Sequence, residues 1–165
     1  KFAEELYRKG AKKNDPDCII AMYILLNNRK SDEAQNFLNQ AMECKLWKGY
    51  MFYGLKIEKD FPRKAYINYL ESYYTNSNPL NAEKIVQCLF EGIGCKADNK
   101  KAIKFAEHAI KNGDINMYTV LGNAFRDGKF VPKDLKRAKE YYTKGAAAGN
   151  PDCKAALEKL NNIKP

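Results

Sequence analysis

Along the chain, stretches in which apolar residues recur every three or four positions alternate with short polar breaks rich in Gly, Pro, Asn and Asp. That is the pattern of consecutive amphipathic helices. Residues 1–13 have a helix-favouring composition without proline. Residues 17–28 are almost continuously apolar and predict a helix buried on more than one side. After a tight turn, in which Ser31 or Asp32 is the expected N-cap, residues 33–44 place Ala34, Phe37, Leu38, Ala41 and Met42 on one helical face. Residues 46–55, aromatic and apolar around Trp47, Tyr50, Met51 and Tyr53, and residues 64–74 predict the next two helices, and 75–79 reads as a loop.

From there the pattern becomes periodic. Gly92 to Gly128, Asp98 to Asp134, Ala102 to Ala138 and Gly113 to Gly149 are each 36 residues apart, and four anchors sharing one interval mark a tandem repeat. Each copy reads helix, Gly-rich turn, an aspartate able to cap, alanine, second helix, glycine. Gly54 to Asp60 has the six-residue spacing of Gly92 to Asp98 and Gly128 to Asp134, which aligns Gly54 with Gly128. Glu33-Ala34 marks a shortened copy. Residues 7–18, YRKGAKKNDPDC, closely resemble residues 142–153, YTKGAAAGNPDC, so the chain begins and ends in the same phase. The expectation is an all-α single domain over 1–165, with hairpins at 16–44, 46–75, 79–113 and 115–149 and half-repeats at 1–13 and 151–162. Ala34, Ala65, Ala102 and Ala138 stand where a small side chain lets two helices pass closely.

Composition narrows the function. Apolar residues are 45% and charged residues 30%, the balance of a folded chain. The longest apolar run, 18–26, is far short of the ~20 residues needed to cross a bilayer. A net charge of +9 could draw the chain to an anionic surface, nucleic acid or acidic lipid. Its arginines, at 8, 29, 63, 126 and 137, are scattered rather than clustered, which argues against nucleic acid. Five cysteines without a C-x-x-C pair, and no N-x-S/T site, point to a reducing, cytoplasmic setting. A secreted or organelle-lumenal one stays open, because a chain opening on Lys1 fits a trimmed or processed form. His108 is the sole histidine and has no partner in the sequence for base-plus-orienter catalysis. Gly92-Ile93-Gly94 lacks the strand and the GK[ST] ending of a phosphate cradle, and no cysteine spacing suits zinc. The sequence predicts no enzyme, no metal and no cofactor.

The stretch LG-x-x-F-x-x-G-x-x-V-x-x-D-x-x-x-A-x-x-Y at 121–141, with its AA-x-GN close at 146–150, and the GIG-x-x-x-D-x-x-K-A turn at 92–102, resemble the Sel-one-like repeat, a relative of the tetratricopeptide repeat. The third copy departs from it, with Ile85-Val86 in place of the Leu-Gly pair, and the second has Trp47-Lys48 there unless Gly49 serves. The resemblance implies a right-handed α/α-solenoid whose first helices line a concave face, used as a scaffold for protein partners. By analogy with the tetratricopeptide groove, the 36-residue step puts Thr119, Asn123, Arg126 and Asp127 on that face, and with them Glu83, Gln87, Phe90 and Glu91. The Gly54–Gly128 alignment adds Lys45, Gly49, Phe52 and Tyr53, and the match of Cys153 to Cys18 adds Ile20, Ile24 and Asn27. The expected partner-binding residues are Ile24, Asn27, Phe52, Tyr53, Gln87, Phe90, Asn123 and Arg126. A Cys88–Cys95 disulfide of the kind that clips hairpins in secreted members is the alternative to reduced thiols. The leading reading is an adaptor for a protein or peptide, with no small-molecule substrate. A regulatory or targeting segment of a larger enzyme and an electrostatic binder of anionic surfaces are the alternatives, and the half-repeats at both ends leave self-association open.

Overall fold

The computed structural model describes residues 2–76 and 82–162. Among these residues there are ten helices and no strand. They fall into two compact units, 1–78 and 79–165. The first holds α1 (Phe2–Ala11), α2 (Pro16–Asn28), α3 (Ala34–Glu43), α4 (Trp47–Ile57) and α5 (Pro62–Asn76). The second holds α6 (Ala82–Glu91), α7 (Asn99–Lys111), α8 (Asn116–Asp127), α9 (Leu135–Ala147) and α10 (Pro151–Asn162). Within each unit every helix packs on its neighbours in sequence, and in the second unit α8 also touches α6 and α10. The chain is therefore an α/α-solenoid of helical hairpins.

Side-chain caps set where four of these helices begin, α2, α7, α9 and α10. Asp15, Asp98 and Asp134 accept the backbone N–H three residues on, from Cys18, Lys101 and Arg137, at 2.9, 2.9 and 3.0 Å. Asn150 accepts that of Cys153 at 3.0 Å. Each satisfies a donor that the helix itself cannot, and Pro16 and Pro151 open their helices where no N–H is needed. The expected Ser31 or Asp32 cap is not formed. Glu33 occupies the cap position without a side-chain cap. The Ser31 carbonyl instead takes the Ala34 N–H in a tight turn at 3.0 Å, and the Glu33 carboxylate is drawn to Arg8 on α1 at 2.5 and 2.8 Å.

The core is built from small residues on one helix against larger ones on the next. Ala65, Ala102 and Ala138 are fully buried and Ala34 nearly so. A Cβ added to Gly54 would come 2.6 Å from the Tyr69 ring, and one added to Gly122 would come 2.3 Å from the Tyr142 ring. The same arrangement, with Ala65 four residues before Tyr69 and Ala138 four before Tyr142, makes Gly54 the counterpart of Gly122. This corrects the alignment of Gly54 with Gly128. Gly54 is buried inside α4, whereas Gly128 ends α8 with a left-handed φ of 69°. A second contact recurs at an eight-residue interval, Gly10 on Cys18, Ala41 on Gly49 and Gly145 on Cys153. Ala34 to Ala65 and Cys18 to Gly49 are thus 31 residues apart in the first unit, against 36 in the second. The five missing residues fall between the first-helix glycine and the second-helix alanine, 11 residues from Gly54 to Ala65 against 16 from Gly122 to Ala138, through an earlier end of the first helix and a shorter turn.

Candidate functional site

In the second unit, α6 and α8 lie side by side as first helices of their hairpins and leave a cleft of about 300 Å³ between them. Val86, Phe90, Val120, Ala124 and Phe130 give it an apolar floor, and Glu83, Gln87, Asn123, Asp127 and Lys129 stand around it. Phe90 and Phe130 stack with centroids 4.7 Å apart and planes 12° from parallel. The Lys129 ammonium lies 4.6 Å from the Phe130 centroid and 3.6 Å from the Glu91 carboxylate. The Tyr142 hydroxyl donates to Asn123 Oδ1 at 2.7 Å, so the amide nitrogen is the donor Asn123 has left to offer the cleft. The Arg126 guanidinium is paired with Asp127 at 2.7 and 3.0 Å, and it holds the Asp127 carboxyl below the usual carboxylate range. Thr119 bonds with Asn150 at 3.2 Å and Cys153 Sγ at 3.1 Å, and serves the α8–α10 contact.

Of the residues expected to meet a partner, the structure brings Gln87, Phe90 and Asn123 together in this cleft. Gln87 is exposed, Asn123 half-buried and Phe90 buried as part of the floor. Arg126 lies one residue before the lining Asp127 and is half-buried. In the first unit, Ile24 and Asn27 are exposed on α2. Phe52 and Tyr53 are half-buried and pack on the core of α1 to α3, Phe52 with its ring 5.1 Å from that of Tyr23. The 31-residue interval puts Leu55, rather than Gly49, in register with Ile24, and through Gly54 and Gly122 also with Asn123. Ile24 and Leu55 are 42% and 43% exposed, two large apolar side chains at the same repeat position facing solvent. Sequence reasoning missed Leu55 and the floor residues Val120 and Phe130. Leu55 was hidden by the shortened turn, and Phe130 lies on the turn after α8, where helical periodicity carries no signal.

All five cysteines are thiols. Cys95 Sγ lies 3.4 Å from the Cys88 carbonyl oxygen, and burial pushes the Cys95 thiol up. Among the described residues no group of three or more His, Cys, Asp or Glu is placed to hold a metal ion. No described helix is long and apolar enough to cross a membrane.

The Sel1 repeat family model matches residues 49–73, 87–114 and 118–150, more than half of the chain. The chain belongs to the Sel1 repeat family. Members of this family are generally non-enzymatic scaffolds for protein–protein interaction. Among solved structures, a Sel1 repeat protein from Oxalobacter formigenes superposes with a TM-score of 0.76 at 20% identity, over 96% of this chain and 68% of its own. A protective antigen present in uropathogenic Escherichia coli strains, described as displaying an SLR fold, does so with a TM-score of 0.75 at 19% identity, over 95% of this chain. The chain spans only 36% of that antigen's length. No curated protein matches the chain. At such identities the Sel1 repeat structures establish the fold.

Proposed function

We propose that this Sel1 repeat chain is a protein-binding scaffold that takes an apolar anchor of a protein or peptide partner into the α6–α8 cleft, with no chemistry of its own. The observation that carries this reading is the cleft itself: first-helix residues 36 apart, Gln87 and Asn123, flank an apolar floor of about 300 Å³. A pocket of that kind suits one large side chain, and polar groups at its edge fix the orientation of the segment that carries it. Arg126 acts through its pair with Asp127, and the first unit by itself offers Ile24, Asn27 and Leu55 as exposed first-helix residues, with Phe52 packed on Tyr23 behind them.

The test is quantitative pull-down from the native source. The double variant Gln87→Arg/Val120→Glu alters the rim and floor, and Lys104→Glu, at an exposed position of α7, serves as the control. Loss of the same proteins from the cleft variant, and not from the control, is the expected result. Equal capture by a folded cleft variant would remove the assignment.

A further inference from the structure

A second cavity, in the first unit, is of a different character. It has about 310 Å³ and is lined by Ile20 and Asp17 of α2 and by Lys45, Leu46, Trp47 and Lys48 at the start of α4. Trp47 is the sole tryptophan of the chain and is half-buried, and the Lys48 ammonium lies 5.5 Å from its ring centroid.

The repeat register explains why this place is unusual. Where one hairpin passes to the next, residues 14–17 read Asn-Asp-Pro-Asp, 113–116 Gly-Asp-Ile-Asn and 149–152 Gly-Asn-Pro-Asp. The first residue of each is left-handed, with φ of 58°, 96° and 89°. The second supplies a side-chain oxygen to a backbone N–H of the new helix, Asp15 at 2.9 Å, Asp114 at 3.1 Å and Asn150 at 3.0 Å. The junction at 45–48 has the same backbone, with Lys45 left-handed at 53°, but reads Lys-Leu-Trp-Lys. Leu46 stands in the cap position and provides no side-chain cap. At this one of the four described junctions the acid or amide that closes the helix start is replaced by an apolar residue, and two lysines and an indole surround it.

We propose that this cavity is a docking site for an acidic peptide segment that carries a large apolar side chain. The apolar side chain sits against Ile20, Leu46 and Trp47. A neighbouring carboxylate meets Lys45 and Lys48 and takes the place that Asp15, Asp114 and Asn150 hold at the other junctions. Two lysines against the single Asp17 select an acidic segment over a basic one, and the apolar lining selects it over a bare anion. The site is built within the first unit alone and does not depend on the α6–α8 cleft.

The test selects a random seven-residue peptide library, displayed on phage, on the full chain, and titrates the selected peptides while following Trp47 fluorescence. Peptides pairing Asp or Glu with Phe, Leu or Trp are expected, each shifting the Trp47 emission. Lys48→Asp gives α4 the first-turn acid that α2 and α10 have in Asp17 and Asp152. It is expected to keep the thermal midpoint at or above that of the parent while weakening peptide binding at least tenfold, and Lys45→Glu, at an exposed turn, is expected to act in the same direction. The proposal is overturned if no peptide is selected, if the selected peptides are neutral or basic, if both variants bind as the parent does, or if single-stranded oligothymidine displaces the peptides from Trp47.

Discussion

Gly122 lies inside α8 and Gly149 in the turn after α9, and each is glycine for a different physical reason. Gly122 lies under the Tyr142 ring, where an added Cβ would come 2.3 Å from a ring carbon, while Gly149 has nothing within 4 Å but a φ of 89°. Gly122→Ala is therefore expected to cost about 3 kcal/mol by overpacking, and Gly149→Ala only about 1 kcal/mol of backbone strain, both read by urea denaturation. Asp114 is a different kind of compromise. The residue is 4% exposed, and its carboxyl is pushed up by burial and by the Glu83 charge, against the opposing pull of the Asn116 and Met117 N–H groups. An acid whose pKa is raised on folding stabilises most when protonated, and that contribution is lost as pH rises through the folded value. Asp114→Asn can still accept from Asn116, so it should raise the thermal midpoint at pH 7, with the gain shrinking to nothing as pH falls below about 4.

At the scale of helices and turns, the first unit closes its hairpins with shorter turns and less suitable residues. Lys30, between α2 and α3, is left-handed at a φ of 53°, a conformation that disfavours a side chain by roughly 1 kcal/mol. Lys30→Gly is expected to stabilise the chain by somewhat under that amount, since glycine also loosens the unfolded state, and a shift in urea midpoint measures it. The same turns decide what could be read from the sequence. The helices were legible because their apolar positions recur at 3 and 4 residues whatever the turn length, and the capping roles of Asp98 and Asp134 followed from their place before a helix. The register of the first unit was not legible. Gly54 and Asp60 reproduce by coincidence the spacing of a turn glycine and its capping aspartate, while Gly54 is buried against Tyr69, a contact that no local pattern announces. That single misalignment put Gly49 at the groove position that Leu55 holds and brought Phe52 and Tyr53 into the expected face. In the second unit, where the interval is constant, the residues placed on one face by the sequence, Gln87, Phe90 and Asn123, line one cleft.

At the scale of the whole chain, the Sel1 repeat makes architecture out of its recurring spacing, and on the proposed reading the positions between carry function. The Gly, Ala and capping Asp residues recur because the hairpins need them, whereas Gln87 and Asn123, or Ile24 and Leu55, differ in chemistry at one repeat position. A scaffold gains selectivity in this way, because each copy adds a distinct contact without altering the packing beneath it. On the proposed reading, the net charge of +9 is expected to set the rate and salt dependence of encounter more than the choice of partner. The central claim, that the first-helix face of the second unit meets a protein partner, is tested most directly by placing the photo-crosslinker benzoylphenylalanine at position 87, in the cleft, and separately at exposed position 104 on α7, and irradiating the chain in its native cells. The account predicts a discrete cross-linked protein from position 87 that position 104 does not yield. Cross-linking from position 104 alone, or the same products from both, would contradict it.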